Sequence, residues 1–123
     1  MKIIDEGFFL YSSKFGENAE ILYILTQNYG LIKGLSKMSS KRRVNLINLD
    51  SIKVTWAAKN KEALGYINYE QIKSNNLDNY FFTILKASAS ELCVKFLPLW
   101  EKNINIYNDI FKFSCISEYD KYA

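Results

Sequence analysis

Apolar positions change their rhythm part-way along this chain. Up to about residue 72 they come in short runs rich in Ile, Phe, Tyr and Thr, punctuated by Gly, Asn and Ser, which is the pattern of strands and turns. Strands are predicted at Ile4–Tyr11, Ala19–Thr26, Leu31–Lys37, Ile52–Ala58 and Leu64–Ile72. In Ile52-Lys53-Val54-Thr55-Trp56 the alternation sets Ile52, Val54 and Trp56 on one face, predicting that Trp56 belongs to the core. Gln27-Asn28-Tyr29-Gly30 is a hairpin connection, since Asn and Gly accept the positive φ that a tight turn requires. Gly34 and Gly65, inside strand patterns, predict bulges or the bends by which a small barrel closes.

From Leu77 onward Leu77, Phe81, Ile84, Leu85, Ser88, Leu92 and Phe96 recur every three or four residues, predicting a long amphipathic helix that Pro98 ends. Ile104, Tyr107, Ile110 and Phe111 predict a second helix beginning near Glu101. Five short strands and then helices fit a five-stranded OB-type Greek-key barrel over residues 1–75 with an α-helical appendage over 76–123. A seven-stranded sandwich lacks the chain it would need once the helical period has begun.

The 123 residues suit one compact core, alone or with a short appendage, and no run approaches the roughly 18 apolar residues of a membrane-spanning helix. Met1 is followed by Asp5 and Glu6 rather than by a basic leader, so a cytoplasmic protein is expected. Histidine is absent, and the two cysteines, Cys93 and Cys115, cannot complete a four-ligand zinc site, so neither metal nor cofactor is expected. Without His, a Ser or Cys nucleophile lacks its commonest activator. Asp5 and Glu6 are neighbours on a strand and point to opposite faces, so they form no acid/base pair. The expectation is a protein that is not an enzyme. Cys93, among Leu92, Val94 and Phe96, reads as a small buried hydrophobe.

Charge supplies the positive signal. The net charge is only +3, yet the stretch from Lys33 to Lys61 carries eight basic residues against one acidic residue. Lys33, Lys37, Lys41, Arg42 and Arg43, extended by Lys53, Lys59 and Lys61, are the candidate phosphate-binding residues, because neutralising phosphates releases counterions from a nucleic acid. Aromatic side chains near turns or polar neighbours, namely Tyr11, Phe15, Tyr29 and Tyr66, are candidates for base stacking. Phe8, Phe9, Trp56 and Phe81 sit in apolar patterns and are expected in the core.

The order of these landmarks carries a resemblance. Asp5-Glu6-Gly7-Phe8-Phe9-Leu10, Phe15-Gly16-Glu17, Thr26, Tyr29-Gly30-Leu31-Ile32-Lys33-Gly34, Thr55-Trp56, Leu64-Gly65 with Glu70, Glu91-Leu92-Cys93 and Leu97-Pro98 together resemble the recombination mediator RecO family. The resemblance implies an OB fold followed by a helical domain, acting in recombinational DNA repair. It further implies binding of single- and double-stranded DNA, strand annealing, and loading of the recombinase RecA with the partner RecR in place of single-strand-binding protein. Lys14 stands where the family pattern has Arg two residues before the Gly-Glu pair, and it joins the candidate DNA contacts. Leu46-Ile47-Asn48 departs from the Leu-Gln-Pro block of the pattern, and a shortened member lacking the zinc-binding cysteine cluster is implied. The apolar run Leu92, Val94, Phe96, Leu97, Leu99 and Trp100 predicts self-association or docking through Leu92–Phe113. The alternative function is a protein-interaction module that docks RecR or another repair partner without touching DNA.

Overall fold

The computed structural model describes residues 1–37, 49–73 and 80–119. Five strands, β1 (Lys2–Phe15), β2 (Ala19–Thr26), β3 (Gly30–Lys37), β4 (Ser51–Ala57) and β5 (Gly65–Lys73), precede two helices, α1 (Tyr80–Phe96) and α2 (Ile104–Tyr119). The strands close into a barrel in the order β1-β2-β3-β5-β4. Every neighbouring pair is antiparallel except β3 with β5, which meet in parallel at Gly34↔Gly65 and Leu35↔Tyr66. This is the Greek-key closure of an OB fold.

The inward faces of the strands form the barrel core. Phe9, Leu22, Ile24, Ile32, Ile52, Val54, Trp56 and Ile67 pack there, so the alternation read in β4 is realised. The Trp56 indole Nε1 donates to the Lys33 carbonyl at 3.1 Å, which satisfies its one polar atom inside an apolar site. Gly34 and Gly65 lie at the parallel seam as the bends of closure. A β-carbon on Gly65 would fall within the Trp56 indole, and one on Gly34 would come 2.5 Å from the Ile67 side chain. The bulges lie elsewhere, between Phe9 and Tyr11 on β1 and at Ser51/Ile52 where β4 meets β5.

The β2–β3 hairpin forms as predicted, with Gly30 at φ +71°. Tyr29 N donates to Thr26 Oγ1, which in turn donates to the Gly30 carbonyl. Asp5, buried on β1, braces the turn by accepting from Asn28 N at 2.8 Å and from Asn28 Nδ2 at 3.0 Å. The adjacent Glu6 is exposed, so the two carboxylates do face apart.

A second core lies outside the barrel wall. Phe8, Leu10, Leu25, Leu31 and Leu49 pack against Cys93 of α1 and Tyr107 and Ile110 of α2. Ordinary alternation points Phe9 into the barrel and Phe8 and Leu10 to the helices, and the bulge after Phe9 keeps Tyr11 on the outer side as well. Between the helices, Trp100 meets Trp56 edge-to-face with centroids 4.6 Å apart and meets Tyr29 edge-on at 6.4 Å. Trp100 has φ +63° and is held by its N–H donating to the Leu31 carbonyl at 2.8 Å.

The helices depart from the sequence reading in two ways. Helix α2 starts at Ile104, not near Glu101, because Asn103 caps it by accepting from Ile106 N at 3.1 Å. The face of α1 turned to the barrel carries Lys86, Ala89, Ser90 and Cys93, while Leu92 (57% exposed) and Phe96 (76%) point to solvent. The small residues Ala89, Ser90 and Cys93 let the helix approach the strands closely, which an outer stripe of Leu and Phe would prevent. Lys86, only 2% exposed, is engaged there in polar interactions. Cys93 is buried as expected. The expected boundary at 75/76, Leu77, and the side chains of Phe81 and Cys115 lie outside the described residues. No helix among the described residues is long and apolar enough to cross a membrane.

Candidate nucleic-acid interface

The outer face of β2–β3 is divided between two uses. At the hairpin end, Leu25 and Leu31 lie beneath the helices. Beyond them Tyr23, paired with Lys33, still packs against the edge of that core, and the registers Ile21↔Leu35 and Ala19↔Lys37 run out from under the cover. On the β1 side the same rows continue as Tyr11↔Tyr23, Ser13↔Ile21 and Phe15↔Ala19, and on the β5 side as Leu35↔Tyr66. Because side chains alternate along a strand and match across it, Tyr11, Phe15, Tyr23, Lys33, Lys37 and Tyr66 share one surface. Tyr11 and Tyr23 touch, their centroids 6.0 Å apart.

At the far end of this surface an open cavity of about 540 Å³ is bordered by Phe15, Asn18, Ala19, Leu35, Lys37 and Tyr66. Phe15 and Tyr66, 52% and 62% exposed, form its aromatic walls. Its floor is low because the middle strand contributes only the methyl group of Ala19, between Phe15 on one side and Lys37 on the other. Gly16, at φ +68°, turns the chain into the rim.

The loop from β4 to β5 enters the same surface through Gly65. Asn60 Oδ1 accepts from Glu62 N at 3.0 Å and Ala63 N at 2.8 Å, a local turn that gives the loop a fixed shape. Lys59 and Lys61 are exposed on it, and Lys61 Nζ lies 5.9 Å from the centre of the Trp100 ring. Acids are sparse on this side, with Glu17 and Glu62 at its margins.

Other candidates lie apart. Lys53 stands on the opposite wall, between Glu6 on β1 and Glu70 on β5 in the cross-strand register. Lys14 points to the other face from Phe15, opposite Glu20. Tyr29 is half-buried against Trp100 at the other end of β3. Lys41, Arg42 and Arg43 lie outside the described residues. Tyr23, Asn18 and Leu35 were not among the sequence candidates. Strand β2 is apolar on both faces, which hides Tyr23 in the pattern, and only its register with Tyr11 and Lys33 reveals it.

No metal-ligand cluster of His, Cys, Asp and Glu occurs among the described residues. The perturbed groups lie away from this surface or beneath it. Burial pushes the Tyr69 hydroxyl up from its ordinary range, aided by the Glu20 carboxylate, and burial alone raises the Cys93 thiol. Such shifts keep both groups protonated and unreactive at neutral pH. The surface is thus equipped for contact with a polyanion that carries flat apolar groups.

Comparison with known proteins gives this surface a family context. The family model described as "Recombination protein O N terminal" matches residues 1–75, which hold all five strands. The chain belongs to the RecO family. DNA repair protein RecO of Ehrlichia chaffeensis is 35% identical over 116 residues, covering 90% of this chain and 48% of that protein. RecO of Wolbachia pipientis subsp. Culex pipiens is 29% identical over 117 residues, covering 92% and 48%. RecO of Orientia tsutsugamushi strain Ikeda is 28% identical over 123 residues, covering 88% and 51%. The chain spans about half the length of the curated RecO relatives it matches, and the similarity runs past the barrel into the helices.

Proposed function

We propose that this chain is a DNA-binding domain of a recombination mediator acting in recombinational DNA repair. It binds single- and double-stranded DNA through the exposed half of the β2–β3 face. In this reading it serves strand annealing and the handover of single strands from single-strand-binding protein to the recombinase RecA with RecR. It works by binding, without a catalytic centre of its own.

The observation that carries the reading is the shared surface of Lys33 and Lys37 with the exposed rings of Tyr11, Phe15 and Tyr66, which has Tyr23 at its margin against the second core. The lysines hold phosphates, the aromatic rings accept base faces, and the Lys59/Lys61 loop borders the track. This is the face and loop by which OB folds bind oligonucleotides. Lys41, Arg42 and Arg43 extend the basic set in the sequence between β3 and β4.

Fluorescence anisotropy of a labelled single strand, titrated at low and moderate salt, tests the proposal. Affinity is expected to fall as salt rises, with a slope of about 0.7 per phosphate contacted. The K33E/K37E variant is expected to lower both affinity and slope, and K41E/R42E/R43E to lower them further. The reading of a partner-docking module rests on the exposed Leu92 and Phe96 of α1. No binding at low salt would favour that module, with RecR or another repair protein as its ligand.

A further inference from the structure

The open cavity at the tip of the β1–β2 hairpin has a more specific shape than a phosphate track needs. Its walls are two exposed aromatic rings from different strands, Phe15 of β1 and Tyr66 of β5. Ala19 leaves the space between them shallow and unfilled, and Leu35 continues an apolar floor. Lys37 stands at one border and the Asn18 amide at another. The volume, about 540 Å³, lies in the range of roughly 300–1,000 Å³ typical of small-molecule sites.

We infer that this cavity receives one unpaired nucleobase of a single-stranded nucleic acid, stacked on Phe15 or Tyr66 with its flanking phosphate on Lys37. This rests on the DNA-binding reading and gives that surface its ligand class. Three features favour a base over an apolar peptide side chain. The rings are flat π-faces, which every base can stack upon. The Asn18 amide has both a donor and an acceptor, as a base edge demands. Lys33 and Lys37 lie four residues apart on the same face of β3, with Leu35 between them, so the cavity sits in a cationic row suited to a polyanion.

A paired base cannot enter, because its two faces are covered by its stacked neighbours and its edge by its partner strand. Duplex DNA would then use the lysines without the cavity. The aromatic pair therefore separates single strands from duplexes, while the lysines serve both.

Three labelled probes of matched phosphate count distinguish these roles: an oligothymidylate of about 12 nucleotides, a strand of equal length with every base removed, and a duplex. The length falls within the site sizes of OB folds. The full chain is expected to bind the oligothymidylate about tenfold tighter than the abasic strand. The F15A/Y66A variant should lose that advantage while keeping its affinity for the abasic strand and the duplex. K37E should weaken binding to all three. F15L/Y66L, which keeps the apolar bulk and removes the rings, should behave as the alanine variant does, with an unchanged circular dichroism spectrum.

Equal affinity of the unaltered chain for the base-bearing and abasic strands would overturn the inference and leave the DNA-binding reading standing. An undiminished preference for bases in F15L/Y66L would overturn it in the same way. Failure to bind any of the three probes at low salt would overturn the DNA-binding reading, and the inference with it.

Discussion

Gly65 is bare because Trp56 fills the space a side chain would take, and the barrel closes at that point. The Cβ of Gly65→Ala meets the middle of a rigid indole that is itself fully buried and hydrogen-bonded to the Lys33 carbonyl. Overpacking of this kind is expected to cost about 2 kcal/mol, read as a lowered urea midpoint with an unchanged slope. Gly16→Ala meets nothing within 4 Å and bears only the strain of its positive φ, about 1 kcal/mol. A cost for Gly65→Ala no larger than that for Gly16→Ala would contradict the packing at the seam. The role of Gly65 in closure was visible in the sequence as a glycine interrupting a strand pattern, but its neighbour was not. The same holds for Asp5. Its position on a strand was legible, whereas its bonds to Asn28 join residues 23 apart and depend on how two hairpins fold together.

At the scale of elements, strands were read well where one face is buried and the other wet, as in Ile52-Lys53-Val54-Thr55-Trp56. They were obscure where both faces are covered. Phe8, Phe9 and Leu10 are all buried, in two different cores, and the bulge between Phe9 and Tyr11 sets Tyr11 beside Tyr23, where unbroken alternation would have put Leu10. Helix α1 was the clearest misreading. It has apolar residues on more than one side, and period alone does not say which side the barrel covers. The covered side is the one with Ala89, Ser90 and Cys93, whose small size permits close approach, and it includes the buried Lys86. The docking of α2 makes a pH prediction. Burial, with smaller contributions from Glu6 and Asp5, raises the Tyr107 hydroxyl above its ordinary 10.0. The folded chain therefore keeps this proton after the unfolded chain has lost it. The stabilisation is complete below pH 10.0 and is lost as pH rises through the folded value. Tyr107→Phe should lower this alkaline sensitivity, measured as a shallower fall of the urea midpoint above pH 10.0 than in the unaltered chain.

For the molecule as a whole, the helices determine how much of the barrel remains available. They seal the Leu25/Leu31 half of the β2–β3 face, with Tyr23 against its edge, and leave the Ala19/Lys37 half open. Helix α1 also carries uncovered apolar residues of its own, Ile84, Leu92 and Phe96, on its exposed side. A cluster of this kind tends to find a partner. Self-association is expected, seen by light scattering as a mass that rises with protein concentration, and L92E/F96E should restore a constant monomer mass. A constant mass for the unaltered chain would remove the idea. The barrel was legible from short strands, and the concentration of lysines on the outer β3 face from the basic stretch between Lys33 and Lys61. The cavity was not, since Phe15, Ala19, Lys37 and Tyr66 come from four strands and share a place only through register.

The chain has two tryptophans, and they are in contact across the seam between barrel and helices. Their rings, 4.6 Å apart at the centres with planes at 71°, are close enough to act as one coupled chromophore pair. The protein therefore carries a built-in optical gauge of whether the α1–α2 connection is seated. With Lys61 lying over the Trp100 ring, that gauge extends to the β4–β5 loop, so an event at the loop can be followed without attaching a dye.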